Sequence, residues 1–406
     1  MSIRSKKVLL NMMTDSVVWH NFFSLHKKFC ESKDYHLINL MRCSWNVIKN
    51  ERLISHERKY MINSFFPPVN TEAFYRIAMH VPGKGAEFFI NHTTGKRLAP
   101  ISTYIAVTHR CMYHCWHCSA YHFMECPGKD LTTEELLIVT EKMKKLGVGI
   151  IGFTGGEPLL REDLEQAISL AAKGKNMPCM TLLFTTGFGL TFERAASLKK
   201  ADLFGIAISL DHMKEEDHDR MRSVEGAYVH ALNAIRNAKL AGLYTMTQTM
   251  CTRELLETGE IKEIGKLAKS LGVDEMRIME PIPCGTLNEH SDEVLTVEEQ
   301  KKLIALHVEM NRDWQYPKVS VFPYVESEDQ YGCGAGSQHS FIDADGNFGP
   351  CDFLPISYGN LLKEDAEPIW QRMHQEIGKP KCECYAKCKK AYDKLPKYYQ
   401  LMSGGK

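Results

Sequence analysis

Apolar residues recur at helical spacing through the first sixty positions. Val8, Leu9, Met12, Met13, Val17, Trp19, Phe22 and Phe23 mark one stretch; Leu37, Leu40, Met41, Trp45, Val47 and Ile48 mark a second after a polar break at 31–34. The paired prolines Pro67 and Pro68 cannot continue a helix. The run from Phe88-Phe89-Ile90 to Gly95-Lys96 predicts a strand entering a turn. From residue 101 the pattern alternates. Short β-branched runs at 103–107, 149–153, 180–184, 205–210, 244–250 and 275–279 are separated by amphipathic stretches at 132–146, 161–173, 192–199, 227–240 and 257–271. Thr132-Thr133-Glu134-Glu135 reads as a capped helix start, and Gly147 and Gly272 as helix ends. Six strand–helix repeats predict an α/β fold with a parallel sheet, whose function sits in the loops at the strands' C-terminal ends. After a helix near 296–311, residues 331–390 are rich in Gly, Cys and Asp with little periodicity. A segment of that kind often needs a metal as a staple.

Length and composition narrow the class. The 406 residues allow two or three domains. With 44% hydrophobic and 25% charged residues, a chain disordered throughout, a collagen and a coiled coil are all excluded. No apolar run approaches the ~18 residues of a membrane span. The first apolar patch, Val8-Leu9-Leu10, stops at Asn11 with no small-residue cleavage site. A secretory signal is therefore not expected, and the default compartment is cytoplasmic. Lys plus Arg equals Asp plus Glu over the chain, yet residues 1–100 hold fifteen of the first against seven of the second. A basic, aromatic first quarter suits a phosphate, a carboxylate or a membrane surface; the plain alternative is a solvated basic face.

Fourteen cysteines are many for a cytosolic chain, where clustered thiols are metal ligands more often than disulfides. Cys111, Cys115 and Cys118 follow the first strand of the repeat as C-x₃-C-x₂-C. Three thiolates on one loop can hold three irons of a cubane and leave the fourth iron open. A zinc site is the alternative, because His109, His114, His117 and His122 stand close by. At the end of the next strand stands Thr154-Gly155-Gly156-Glu157-Pro158. Its glycines let backbone approach a ligand closely, and its carboxylate can pair with an ammonium group.

These two motifs, in this order and on these strands, resemble the radical SAM superfamily. The resemblance covers residues 101–320 and implies a partial (β/α)6 TIM-like barrel. A helical basic extension (1–100) would precede it and a small Cys-rich domain (321–406) follow. By this resemblance Cys111, Cys115 and Cys118 hold a [4Fe–4S] cluster, and the amino and carboxylate groups of S-adenosylmethionine chelate its open iron. Gly155, Gly156 and Glu157 would meet the methionyl amino group. His117 stands where the family usually has an aromatic residue whose backbone reaches the adenine, and a histidine there is a departure. Thr186 ends the third strand, and Ser209 ends the fourth, where the family often places a hydroxyl or amide near the ribose. Arg222 lies in a segment that looks like the one keeping an arginine for the cofactor's carboxylate; the alternative is a surface ion pair, for instance with Glu225.

The C-terminal cysteines extend the likeness. Cys333 and Cys351 flank Asp343-Ala344-Asp345-Gly346-Asn347, a hairpin turn signal that would bring both thiols together. Cys382, Cys384 and Cys388 follow. This resembles the SPASM and twitch extensions of radical SAM enzymes, although a full SPASM domain carries seven cysteines and only five stand here. The implication is a second, auxiliary [4Fe–4S] cluster on Cys333, Cys351 and two of the last three; a structural zinc knuckle is the alternative. Cys251, after the fifth strand, is a candidate hydrogen-atom donor or else a packed thiol. Glu280 and Cys284, after the sixth, carry the same two readings.

The activity the resemblance implies is reductive cleavage of S-adenosylmethionine to methionine and a 5′-deoxyadenosyl radical. That radical takes hydrogen from an unactivated C–H bond of a substrate. A low-potential flavodoxin or ferredoxin would supply the electron. Relatives with such an extension modify peptides and proteins, tetrapyrrole side chains or aminoglycosides. A peptide or protein substrate is the first expectation, and a small anionic metabolite, tetrapyrrole or lipid the second. A non-catalytic iron–sulfur or zinc protein is a third, against which Gly155-Gly156-Glu157 stands. Peripheral membrane contact through residues 1–100 is a further expectation, and no nucleic-acid partner is expected.

Overall fold

The fold is given by a computed structural model, which describes residues 3–30, 37–121, 124, 128–173, 177–289, 291–327, 330–380, 383–388 and 391. The six strands expected from the alternating pattern are present in chain order: β3 (Ser102–Ala106), β4 (Ile150–Thr154), β5 (Met180–Thr185), β6 (Gly205–Ser209), β7 (Tyr244–Met250) and β8 (Glu275–Met279). They pair in parallel, each beside its successor. One face buries Ile105, Ile151, Phe153, Leu183, Ile206 and Ile208 under the helices. Residues of the opposite parity, among them Tyr104, Thr154, Phe184, Gln248 and Arg277, turn to a shared interior, as the two-residue period of a strand requires. Arg277 on β8 reaches the Tyr104 hydroxyl of β3 at 3.5 Å, although four strands separate them in the sheet. The sheet is therefore rolled into a barrel around a lumen.

Two further strands join the edges. β9 (Lys318–Val321) extends the sheet beside β8, and β10 (His339–Ile342) lies parallel to β3. β10 turns back antiparallel into β11 (Phe348–Gly349). The turn is held by Asp343, whose carboxylate accepts from the Asp345 and Asn347 amides and the Asn347 side chain. The Cys-rich segment is thereby a continuation of the barrel sheet, and Cys333, Cys351 and Trp370 share the main apolar core.

The helix starts and ends follow local chemistry. Thr132 and Glu135 form a reciprocal capping box on Thr133–Leu146, and Gly147 ends it at φ +107°. The stretch read as one helix over 257–271 is two, Arg253–Thr258 and Glu260–Ser270, because Gly259 sits at φ +77°. The first quarter departs from its expected pattern twice. Helices Ile3–Thr14, Ser16–Phe29 and Leu37–Ile48 form as the spacing suggests, but residues before Pro67 close in a hairpin, β1 (Ile54–His56) with β2 (Lys59–Met61). Glu57 and Arg58 carry its turn at φ +47° and +62°, without the glycine or asparagine that would have announced it. Residues 88–96, expected as a strand, lie largely in helix Gly85–Thr93. Phe88 and Asn91 are buried on one face while Ile90 is 52% exposed. Packing of Phe88 on Phe29 overrides the β preference of Phe-Phe-Ile. Met61 of the hairpin closes the lower end of the lumen with Ile150, Met180, Phe204 and Tyr244. Among the described residues no helix is long and apolar enough to cross a membrane.

Candidate active site

The C-terminal ends of the strands open on a cavity. Cys111, Cys115 and Cys118 line it together from the loop after β3. Asp130 fixes the start of that loop, accepting from the Thr108 hydroxyl at 2.5 Å and the His109 amide at 2.8 Å. The loop after β8 clamps its end: the Thr286 hydroxyl donates to the Trp116 carbonyl and the Thr286 amide to the Cys118 carbonyl. A Cβ on Gly285 would stand 1.9 Å from that carbonyl, so only glycine fits. Burial pushes the Cys111 thiol up to about 11 and Cys118 up to about 12. Such thiols keep their protons at neutral pH until a cationic centre displaces them. Cys111, Cys115 and Cys118 do not close to within 4.8 Å of one another, the spacing that a single ion would draw.

Gly155 and Gly156 also bring the loop after β4 against the cysteine loop. Gly156 donates to Thr108 O, and a Cβ there would meet the Arg110 carbonyl at 2.1 Å; a Cβ on Gly155, at φ +144°, would meet Thr108 O at 2.5 Å. Both glycines let the loop after β4 press on the cysteine loop, while both also line the cavity. Glu157 is fully buried, and four donors fill its carboxylate: the Leu159 amide, the Thr185 hydroxyl, and the Thr186 amide and hydroxyl. Burial raises its pKa, against the lowering effect of those bonds. The carboxylate thus locks the ends of β4 and β5 together.

Arg222 is buried and does not pair with Glu225. Its Nη2 lies 2.5 Å from Asp211 Oδ2, and its Nη1 donates to Cys115 Sγ at 3.5 Å. Its Nε has no partner among the described residues. Asp211, fully buried, also accepts from the Met250 amide at 2.8 Å. Burial alone would raise Asp211, but Arg222, His117 and His218 more than offset it, and its pKa lies below the usual carboxylate value. Burial, then Arg222, holds His117 down to about 4, a neutral imidazole whose Nδ1 lacks a partner. Ser209 and Thr186 line the same cavity.

Of the candidates after β7 and β8, Cys251 does not line the cavity. It packs among Leu255, Ile261 and Ile264, and burial pushes its thiol up to about 12. The strand period turns Gln248 and Met250 to the lumen and Cys251 away. Glu280 does line the cavity, accepting from Gln300 at 2.7 Å and Lys387 at 3.1 Å. So does Cys284, which burial followed by Asp352 and Cys118 drives well above its ordinary pKa.

A second cavity continues the lumen. The two share Thr154, Phe184, Gln248, Met279, Asp352 and Phe353. Cys333, Cys351 and Cys384 line its far side. Cys333, Cys384 and Glu326 are the single described trio whose ligand atoms close to within 4.8 Å. Donation from Cys384 draws the Cys333 thiol down to about 6 despite burial, and the Tyr385 amide adds a bond at 3.4 Å. Cys388 is half-buried, its Sγ 3.6 Å from the Glu383 carboxylate. Cys382 lies outside the described residues. Sequence reasoning missed Glu326, which has no motif, and Asp352, whose one signal is its place next to Cys351.

Residues 105–277 match the Radical SAM superfamily, and residues 333–390 match SPASM, an iron–sulfur cluster-binding domain. The chain is 27% identical over 288 residues to the AdoMet-dependent heme synthase of Oleidesulfovibrio alaskensis, covering 66% of this chain and 73% of that protein. In fold it is similar to Streptococcus suis SuiB bound to its precursor peptide SuiA, with TM-score 0.56 and 13% identity over 69% of this chain and 67% of that one. It is likewise similar to anSMEcpe with bound AdoMet and the Cp18Cys peptide, with TM-score 0.57 and 18% identity over 71% and 86%.

Proposed function

Because the chain belongs to the radical SAM superfamily and carries a C-terminal SPASM domain, we propose that it removes a hydrogen atom from a substrate held in the lumen between its two cysteine groups. It is an enzyme whose cofactors are S-adenosylmethionine and [4Fe–4S] clusters. When bound, they supply reductive cleavage to methionine and a 5′-deoxyadenosyl radical. Cys111, Cys115 and Cys118 are the ligands of the first cluster. The orphaned Nε of Arg222 and Nδ1 of His117, both buried at the cavity, suit a polar cofactor there. Asp211 positions Arg222 for the cofactor's carboxylate. Gly155, Gly156 and Glu157 set the loop that receives the methionyl end, and Thr186 and Ser209 face the nucleoside. Cys333, Cys351 and Cys384, with a fourth ligand from Glu326, Cys382 or Cys388, hold the auxiliary cluster. A flavodoxin or ferredoxin supplies the electron.

The observation that carries this reading is the continuity of the lumen from one cysteine group to the other. A substrate radical formed there lies next to an auxiliary centre able to take its electron. For the substrate, likeness in fold to two peptide-bound enzymes supports a peptide or protein. The relatives named as heme synthases support the second reading, a small anionic metabolite, tetrapyrrole or lipid, with a tetrapyrrole first among these. The test is anaerobic turnover with deuterated candidates of both kinds. Deuterium in 5′-deoxyadenosine identifies the substrate class. Brisk cofactor cleavage without transfer from either kind counts against both readings.

A further inference from the structure

We propose that Arg277 binds a carboxylate of the substrate inside the lumen. This rests on the reading of the lumen as the substrate chamber. Arg277 stands on β8 and is 2% exposed. The Phe65 and Phe184 rings each lie 4.9 Å from its guanidinium. Nη2 reaches the Tyr104 hydroxyl at 3.5 Å, at the limit of a hydrogen bond, and Nε and Nη1 have no acceptor among the described residues. No described carboxylate comes within 4.0 Å of it to form an ion pair. The natural partner would be Glu275, two residues back on the same face. Its carboxylate is already filled by the Ser64 amide and hydroxyl, the Ser320 hydroxyl and the Tyr244 hydroxyl.

An arginine stays charged in any protein environment, and a buried charge without a counter-ion is costly. Aromatic faces stabilise the cation but accept none of its in-plane N–H groups. Arg277 lines the same cavity as Cys333, Cys351 and Cys384, and its neighbour on that face, Met279, also lines the cavity of Cys111, Cys115 and Cys118. A group anchored at Arg277 therefore sits between the two centres. One guanidinium among phenyl rings matches a single negative charge on an otherwise apolar molecule. A carboxylate has that charge and the acceptor geometry that guanidinium groups favour. It can belong to a small molecule or to an acidic side chain of a peptide.

The test is equilibrium binding, by calorimetry, to the reconstituted full-length protein and to Arg277→Met and Arg277→Lys. The probes are a porphyrin bearing one carboxylic acid against its methyl ester, and a nonapeptide with both termini blocked and one central glutamate against its glutamine counterpart. The wild type should favour the acid over its neutral partner by about tenfold or more for one of the two pairs, which identifies the source. Arg277→Met should erase that preference while binding the neutral partner as before, and Arg277→Lys should retain part of it. No preference in the wild type for either pair overturns the assignment. So does a preference that survives in Arg277→Met or, if that variant does not fold, stays unchanged in Arg277→Lys. Failure of the wild type to form 5′-deoxyadenosine would instead count against the proposed function, and the binding comparison would still decide the role of Arg277.

Discussion

Replacing Asp211 with Asn should unfold the protein far more easily than its conservative shape suggests. Asp211 and Arg222 form a buried pair at 2.5 Å, and Arg222 side-chain exposure is 9%. Asparagine keeps the acceptor for the Met250 amide but removes the counter-charge. Arg222 cannot shed its proton in response, since a guanidinium stays protonated inside proteins, and it is left as a buried charge without its counter-ion. Breaking a buried pair from one side costs about 3–5 kcal/mol, a large share of the ~5–15 kcal/mol available to a folded domain. Urea denaturation at pH 7, followed by tryptophan fluorescence, measures it. The double variant Asp211→Asn with Arg222→Met removes both charges and should recover most of the loss. The pH dependence has a definite sign. Asp211 is depressed below its ordinary 3.8, so its contribution is complete above that pH and fades as pH falls through the folded-state value. The gap between wild type and variant should therefore be flat from pH 5 to 8. A cost below about 1 kcal/mol, or a double variant as unstable as the single one, refutes the argument.

Three other outcomes follow from the geometry. Gly156→Ala forces a Cβ to within 2.1 Å of the Arg110 carbonyl; iron content or S-adenosylmethionine affinity should fall about tenfold or more, and normal values of both would contradict the packing described. Cys251→Ser should leave 5′-deoxyadenosine formation intact while costing about 1–3 kcal/mol of stability for a hydroxyl in an apolar core; lost activity in a stable variant would return Cys251 to the site. Leu10, Met13, Trp19, Phe23, Met41 and Trp45 are exposed on basic N-terminal helices, so the chain should bind anionic vesicles, and binding should weaken between 0.05 and 0.5 M salt, an order-of-magnitude range set by screening; equal binding to neutral vesicles would contradict a charged platform.

The barrel was legible because each strand run is followed by a helix whose period differs, and because caps such as Thr132 and Gly147 are local signals. Cys111, Cys115 and Cys118 were legible for the same reason: their spacing lies within one loop. The partners of Arg222 and Glu157 were not, since both depend on residues that only the rolled sheet brings together: Asp211 from the loop after β6, and Thr185 and Thr186 from the end of β5 and the residue beyond it. Phe88–Lys96 failed as a strand because a contact with Phe29, distant in sequence, decided its form. Arg277 and Glu326 carry no motif; what distinguishes them is the absence of a counter-ion and the nearness of two thiols, which are facts of packing.

The most direct test is anaerobic incubation of the reconstituted chain with S-adenosylmethionine and dithionite, with iron and 5′-deoxyadenosine measured together. The wild type should be brown, hold about eight irons and release 5′-deoxyadenosine. With Cys111, Cys115 and Cys118 all changed to alanine, about four irons should remain and 5′-deoxyadenosine should vanish. A colourless protein holding zinc, or a triple variant that still cleaves the cofactor, would contradict the account.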